Sequence, residues 1–140
     1  MRTIHILAFV FFASVCVAQV PDSLNQTDTQ GLKQGVWKKT YPNGAVRYRG
    51  AFANDIPVGV FRYFGENGVL KATVTHTGDG VHAATTIFDE SGKLQATGFY
   101  VNQKKDSLWT IFDQLGRTVA LERYADGDAH GRGFKHHSAP

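Results

Sequence analysis

Apolar and polar residues alternate in short runs along most of the chain, and glycine-containing polar breaks interrupt the runs at a fixed interval. Val36 to Tyr41, Val60 to Phe64 and Leu108 to Phe112 read as short aromatic-rich strands. Each is followed by a turn and then a second run: Ala45 to Phe52, Val69 to His76, Lys93 to Tyr100 and Arg117 to Tyr124. Turn glycines break every candidate i, i+3, i+4, i+7 stripe, so the pattern predicts strands rather than helices.

The interval is 24 residues. Gly44, Gly68, Gly92 and Gly116 share one column, preceded by Asn43, Asn67, Ser91 and Leu115. Asn-Gly and Ser-Gly predict type I′ turns, in which both central residues take positive φ. A small-residue column runs Gly35, Gly59, Ala83, Ser107, Gly131. Aromatic columns run Trp37, Phe61, Thr85, Trp109, then Thr40, Phe64, Phe88, Phe112, and Phe52, His76, Tyr100, Tyr124; an aliphatic one runs Val46, Leu70, Leu94, Thr118. Six columns in one register define a repeat. A lone hairpin is marginal in water, so the aromatic columns are expected to pack between neighbouring hairpins as core. The third unit, with Thr85 in the Trp/Phe column, is expected to hold the weakest strand.

The expected fold is all-β: about four 24-residue hairpins in an elongated, twisted antiparallel sheet over residues 31–131. Residues 19–30 read as a polar, mobile leader. A fifth unit opening at Gly131 would need an aromatic two residues on, where Gly133 stands, and a turn glycine at the position of Pro140. Residues 132–140 therefore read as a disordered tail. That leaves Arg117–Tyr124 as an open edge for a capping partner or self-association.

Residues 1–18 have the form of a secretory signal: Arg2, an apolar run from Ile6 to Phe12, and the small-residue exit Cys16-Val17-Ala18. Cleavage after Ala18 is expected, with a periplasmic or extracellular destination; lipidation at Cys16 is the rival, disfavoured by the bulky Val15 before it. On that cut the one cysteine leaves with the signal, and no disulfide or thiolate metal site remains. The net charge of +3 falls to +2 without Arg2, with both signs scattered, which argues against nucleic acid as a partner.

Gly31-Leu32-Lys33-Gln34-Gly35-Val36-Trp37, Tyr41-Pro42-Asn43-Gly44, Gly59-Val60-Phe61, Glu66-Asn67-Gly68 and the run from Tyr124 to Gly131 resemble MORN-type repeats, specifically the bacterial variant found in proteins labelled YwqK-family antitoxins. The resemblance covers about residues 31–131. It implies a hairpin-repeat fold and a protein partner; MORN repeats elsewhere are associated with lipid binding and scaffolding. The shared motifs are structural, so the resemblance carries over no catalytic or binding residue.

Candidate chemistry is sparse. His76, Asp79 and His82, and the tail histidines His130, His136 and His137, match no metal-ligand spacing. Glu66 and Glu90 lie one period apart just before the turns, on a solvated rim rather than in a pocket that could shift a carboxyl pKa. No Gly-x-Ser-x-Gly and no phosphate-binding strand–loop–helix pattern is present. Tyr48 between Arg47 and Arg49, and Tyr124 after Arg123, could stack on bases or sugars, or simply pair across strands. No catalytic, cofactor or metal residue is therefore assigned. The reading is an exported, non-enzymatic protein-binding or scaffold module. A membrane-surface lipid binder is the first alternative, and a carbohydrate-active hydrolase the second.

Overall fold

The computed structural model describes residues 23–134. Residues 1–18, read from the sequence as a secretory signal, lie outside the described residues with Cys16 and the Ala18-Gln19 junction, as do Lys135, His136 and His137. Ten strands follow one another: β1 Gln26–Thr27, β2 Lys33–Thr40, β3 Val46–Ala53, β4 Ile56–Phe64, β5 Leu70–His76, β6 His82–Phe88, β7 Leu94–Val101, β8 Lys104–Phe112, β9 Thr118–Ala125 and β10 Asp128–Phe134. They form one open sheet whose spatial order is the chain order, each strand antiparallel to the next. The all-β hairpin array read from the columns is the observed fold.

The turns differ from the expectation in kind. Gly44, Gly68, Gly92 and Gly116 take φ between +76° and +84°, but neither Asn43 nor Asn67 does. Gly44 N–H donates to Tyr41 O at 2.9 Å and Tyr41 N–H to Ala45 O at 2.8 Å. This is a three-residue loop: a type I turn, with Pro42 at the position that favours its fixed φ, closed by a left-handed glycine. The same bonds recur at Gly68, Gly92 and Gly116. The two-residue type I′ turns occur in the links between units. Asn54-Asp55, Asn102-Gln103 and Asp126-Gly127 have positive φ at both residues.

The four glycine loops are braced in two chemically different ways. In the first two, Asn43 Oδ1 accepts from Ala45 N at 3.0 Å and Asn67 Oδ1 from Val69 N at 3.1 Å. Leu115 cannot do this, and the Ser91 hydroxyl donates to Asp89 Oδ1 instead, so in both loops an aspartate two residues earlier takes over. Asp89 Oδ1 accepts from Ser91 N and Lys93 N, and Asp113 Oδ1 from Leu115 N and Arg117 N, at 2.8–2.9 Å. Both carboxyls are held below the usual range, Asp89 chiefly by the Ser91 hydroxyl and Asp113 chiefly by the Arg117 amide. Leu115, 75% exposed, is thus a turn residue relieved of its bonding duty. Asp113→Ala is expected to lower the melting temperature, and adding Leu115→Asn should restore most of the loss by recreating the brace of the first two loops. Thermal melts of the single and double variants check this; no recovery in the double variant would reject the exchange.

Both ends differ from the sequence reading. The leader contributes β1, which pairs with Lys33 and Gln34. Beyond it Asn25 takes the Val36 carbonyl with its amide and the Lys38 amide with its Oδ1, so the first edge is partly covered. At the other end, β9 is not the open edge: β10 pairs with it from Asp128↔Ala125 to Phe134↔Ala120, across a bulge between Ala129 and Arg132. The disordered tail placed at 132–140 therefore does not begin at Arg132. The strand starts just after the Asp126-Gly127 turn, three residues before Gly131. Arg132 Nε donates to Glu122 Oε1 at 2.6 Å, and the Tyr124 hydroxyl donates to Glu122 Oε2 at 2.9 Å. A charged cluster thus stands beside Tyr124, the last ring of the array.

A candidate binding face at the irregular repeat

Strand alternation puts eight large rings on one face: Trp37, Tyr48, Phe52, Phe61, Tyr63, Tyr100, Trp109 and Tyr124, with His76 among them, whereas Phe99 is exposed on the other face. Phe61 and Trp109 are the buried rings, at 2% and 0% exposure; Trp37 is half-buried. Phe64, Phe88 and Phe112 are also half-buried and flank the glycine loops. They do not share the buried position of Phe61 and Trp109.

The burial of those two rings has a backbone cause. Gly59 and Ser107 sit at φ of +64° and +60° inside their strands. This opens a bulge, so three residues of β4 oppose Gly50 alone and three of β8 oppose Gly98 alone. The ring that ends each bulge lies over the opposing glycine. A Cβ on Gly50 would stand 2.3 Å from Phe61, and one on Gly98 would stand 2.2 Å from Trp109. Both indole N–H groups are also occupied, Trp109 on Phe99 O at 3.2 Å and Trp37 on Gln26 O at 3.1 Å.

These rings alternate with those of the next column in an edge-on chain. Trp37 meets Phe52 at 6.0 Å, Phe52 meets Phe61 at 5.1 Å, and Phe61 meets His76 at 5.1 Å. The chain resumes with Tyr100 on Trp109 at 5.3 Å and Trp109 on Tyr124 at 6.1 Å. Lys33 lies over Trp37 and Phe52, and Lys105 over Trp109 and Tyr124. Between His76 and Tyr100 the bracketing ring is missing, because position 85 is Thr. Thr85 is buried and bonds Thr73 O at 3.2 Å. Ala83 keeps ordinary strand conformation where Gly59 and Ser107 are left-handed, so β5 and β6 pair with no register shift. Val74 occupies the glycine position. The following link is longer, spanning Thr77 to Val81 with Gly78 and Gly80 at positive φ.

The result is a groove of about 680 Å³. Val74, Ala83 and Phe61 line it together with Tyr48, Tyr63, Tyr100 and His76; Phe52, Pro57, Asp55, Gln103 and the Gly80-Val81 segment complete the lining. Burial raises the Tyr63 and Tyr100 hydroxyls and lowers His76, so the rings and the imidazole are neutral at pH 7. Tyr41 bonds Phe64 O and Tyr124 bonds Glu122, but among the described residues the hydroxyls of Tyr48, Tyr63 and Tyr100 have no hydrogen-bond partner.

The other candidates disperse. His82 Nδ1 meets Asp79 Oδ2 at 2.6 Å in the exposed link, while His76 turns to the groove. Among the described residues no group of three or more potential ligands could hold a metal ion. Glu66 and Glu90 are exposed in loops on one rim, Glu90 beside Lys71 at 3.4 Å, and neither lines the groove. No helix among the described residues is long and apolar enough to cross a membrane. Gly50 and Gly98, which seat the two buried rings, were not visible in the 24-residue columns. They lie 48 residues apart, with Val74 between them.

No curated protein and no solved structure matches the chain. A family model described as the MORN repeat variant matches residues 82–102. That span is β6, its glycine loop, β7 and the first residue of the following turn, the unit that departs most from its neighbours. By this match the chain contains a MORN-type repeat, a module that is generally non-catalytic.

Proposed function

We propose that the protein is an exported, non-enzymatic scaffold that binds a protein partner by adding one of its extended segments to β10. The carrying observation is the asymmetry of the two sheet edges. The β2 edge is partly covered by β1 and Asn25, whereas beyond β10 the described residues place no further strand. Open edges accept strands through main-chain hydrogen bonds, with side-chain recesses supplying selectivity. One such recess, of about 430 Å³, lies beside β10, lined by Leu108, Leu121, Arg123 and His130–Gly133. It fits an aliphatic side chain next to a carboxylate. The bulge at Gly131 and the exposed Arg132 oppose indiscriminate pairing, which favours a selective partner over open-ended stacking of copies.

The resemblance to antitoxin-labelled proteins supports a protein partner, and the form of residues 1–18 supports export. Protein isolated from the exported fraction should begin at Gln19; a lipid-modified start at Cys16 would tether it to a membrane instead. Partners captured from that fraction should slow hydrogen exchange in the β10 amides, and Ala129→Lys, which puts a charge on the edge, should abolish capture. Capture unaffected by Ala129→Lys, with protection elsewhere, would overturn the edge as the docking site. Uptake onto anionic vesicles without a protein partner would favour the lipid-binding alternative.

A further inference from the structure

We propose that the groove at the third repeat is a binding site for an uncharged saccharide chain, its sugar rings lying on the faces of Tyr63 and Tyr100 in the space a repeat aromatic would otherwise fill. This site is separate from the β10 edge. Three departures from the repeat meet there: Thr85 removes the ring, Ala83 removes the bulge, and the five-residue link lengthens the wall. Any one alone would read as drift. Together they leave a space within the size range of small-ligand sites, open on the same face as the stacked rings.

The chemistry of the walls selects the ligand. Tyrosine offers an apolar face and a polar tip, which suits a sugar ring with C–H groups on its faces and hydroxyls at its rim. The three tyrosine hydroxyls without a partner among the described residues can both donate and accept, and the neutral His76 ring does the same through its two nitrogens. Alcohols match such two-way groups. A prolyl segment, which lacks N–H donors, leaves the acceptors unanswered, and the two indole N–H groups that could serve its carbonyls are already bonded to the backbone. Among the described residues no lysine or arginine lines the groove and Asp55 is the one carboxylate there, so phosphate-bearing ligands find no counter-charge.

The test is titration calorimetry of the full mature chain, with neutral oligomers of glucose, mannose and N-acetylglucosamine. A proline-rich peptide and phosphatidylglycerol vesicles serve as comparators. At least one oligomer should bind and shift the His76 ring signals in NMR spectra. Tyr63→Phe and Tyr100→Phe together, which keep the rings and remove two hydroxyls, should weaken it by about tenfold. Thr85→Phe with Val74→Gly restores the repeat's ring and its glycine seat, and should abolish binding. Should that variant not fold, the tyrosine pair alone decides. Ala129→Lys should leave saccharide binding unchanged, so failure at the groove and failure at the edge are told apart. Binding by none of the oligomers, binding indifferent to the tyrosine pair, or binding by the peptide or vesicles alone would overturn the proposal.

Discussion

Gly98→Ala is expected to destabilise the protein by about 3 kcal/mol, the upper end of what a single added methyl costs in a packed site. The added Cβ would fall 2.2 Å from Trp109, whose ring is fully buried and tied to Phe99 O, so neither side can yield cheaply. Removing the ring is itself expensive, about 3–5 kcal/mol for Trp109→Ala. In that background, however, Gly98→Ala should cost almost nothing, because its obstacle is gone. The strong non-additivity is the signature of the contact. Gly133→Ala is the control, since its Cβ would meet nothing nearer than Leu121 O at 3.9 Å. Thermal melts of the four variants measure all of this. A Gly98→Ala protein that melts within a few degrees of its parent would show that the ring does not lie over the glycine.

Gly68→Val should cost about 1–3 kcal/mol for a different reason. Nothing lies within 4 Å of a Cβ built at Gly68, so the added side chain has room. What it lacks is a tolerable backbone: φ is +79°, and a β-branched residue is an outlier there. Gly68→Asn should cost much less, because asparagine enters this region readily, as Asn54 and Asn102 do at +51° and +50°. Denaturant unfolding should rank the parent above Asn and Asn above Val. Equal stabilities for Asn and Val would mean that the loop can abandon its left-handed glycine.

The hairpin array was legible because its columns are set by backbone geometry that repeats every 24 residues. Gly44 and its counterparts recur where a left-handed residue closes each loop. The loop type was misread because Asn-Gly is so strongly tied to two-residue turns. The corrective signal was Pro42, whose φ is fixed negative and which therefore sits inside a longer loop. The final strand was missed because the units were phased from the small-residue column. Gly131 lies in the middle of β10, at its bulge, and does not open it. The groove was hidden for a subtler reason. Thr85 looked like decay of an aromatic column, and a column shows only what is lost. That Ala83, Val74 and the long link change alongside it, on one face and around one space, is a three-dimensional fact.

Because spatial order and chain order coincide from β1 to β10, no strand has to wait for a distant part of the polypeptide before it can pair. The segments to be closed are single turns, so the entropic search for each partner is short, in contrast to β-sandwiches whose neighbours come from opposite ends of the chain. Folding can therefore proceed in the direction of synthesis or translocation, with each hairpin docking on the one before and burying its ring as it arrives. For a polypeptide threaded through a narrow pore, such a sheet can assemble on the far side while its C-terminal half is still in transit.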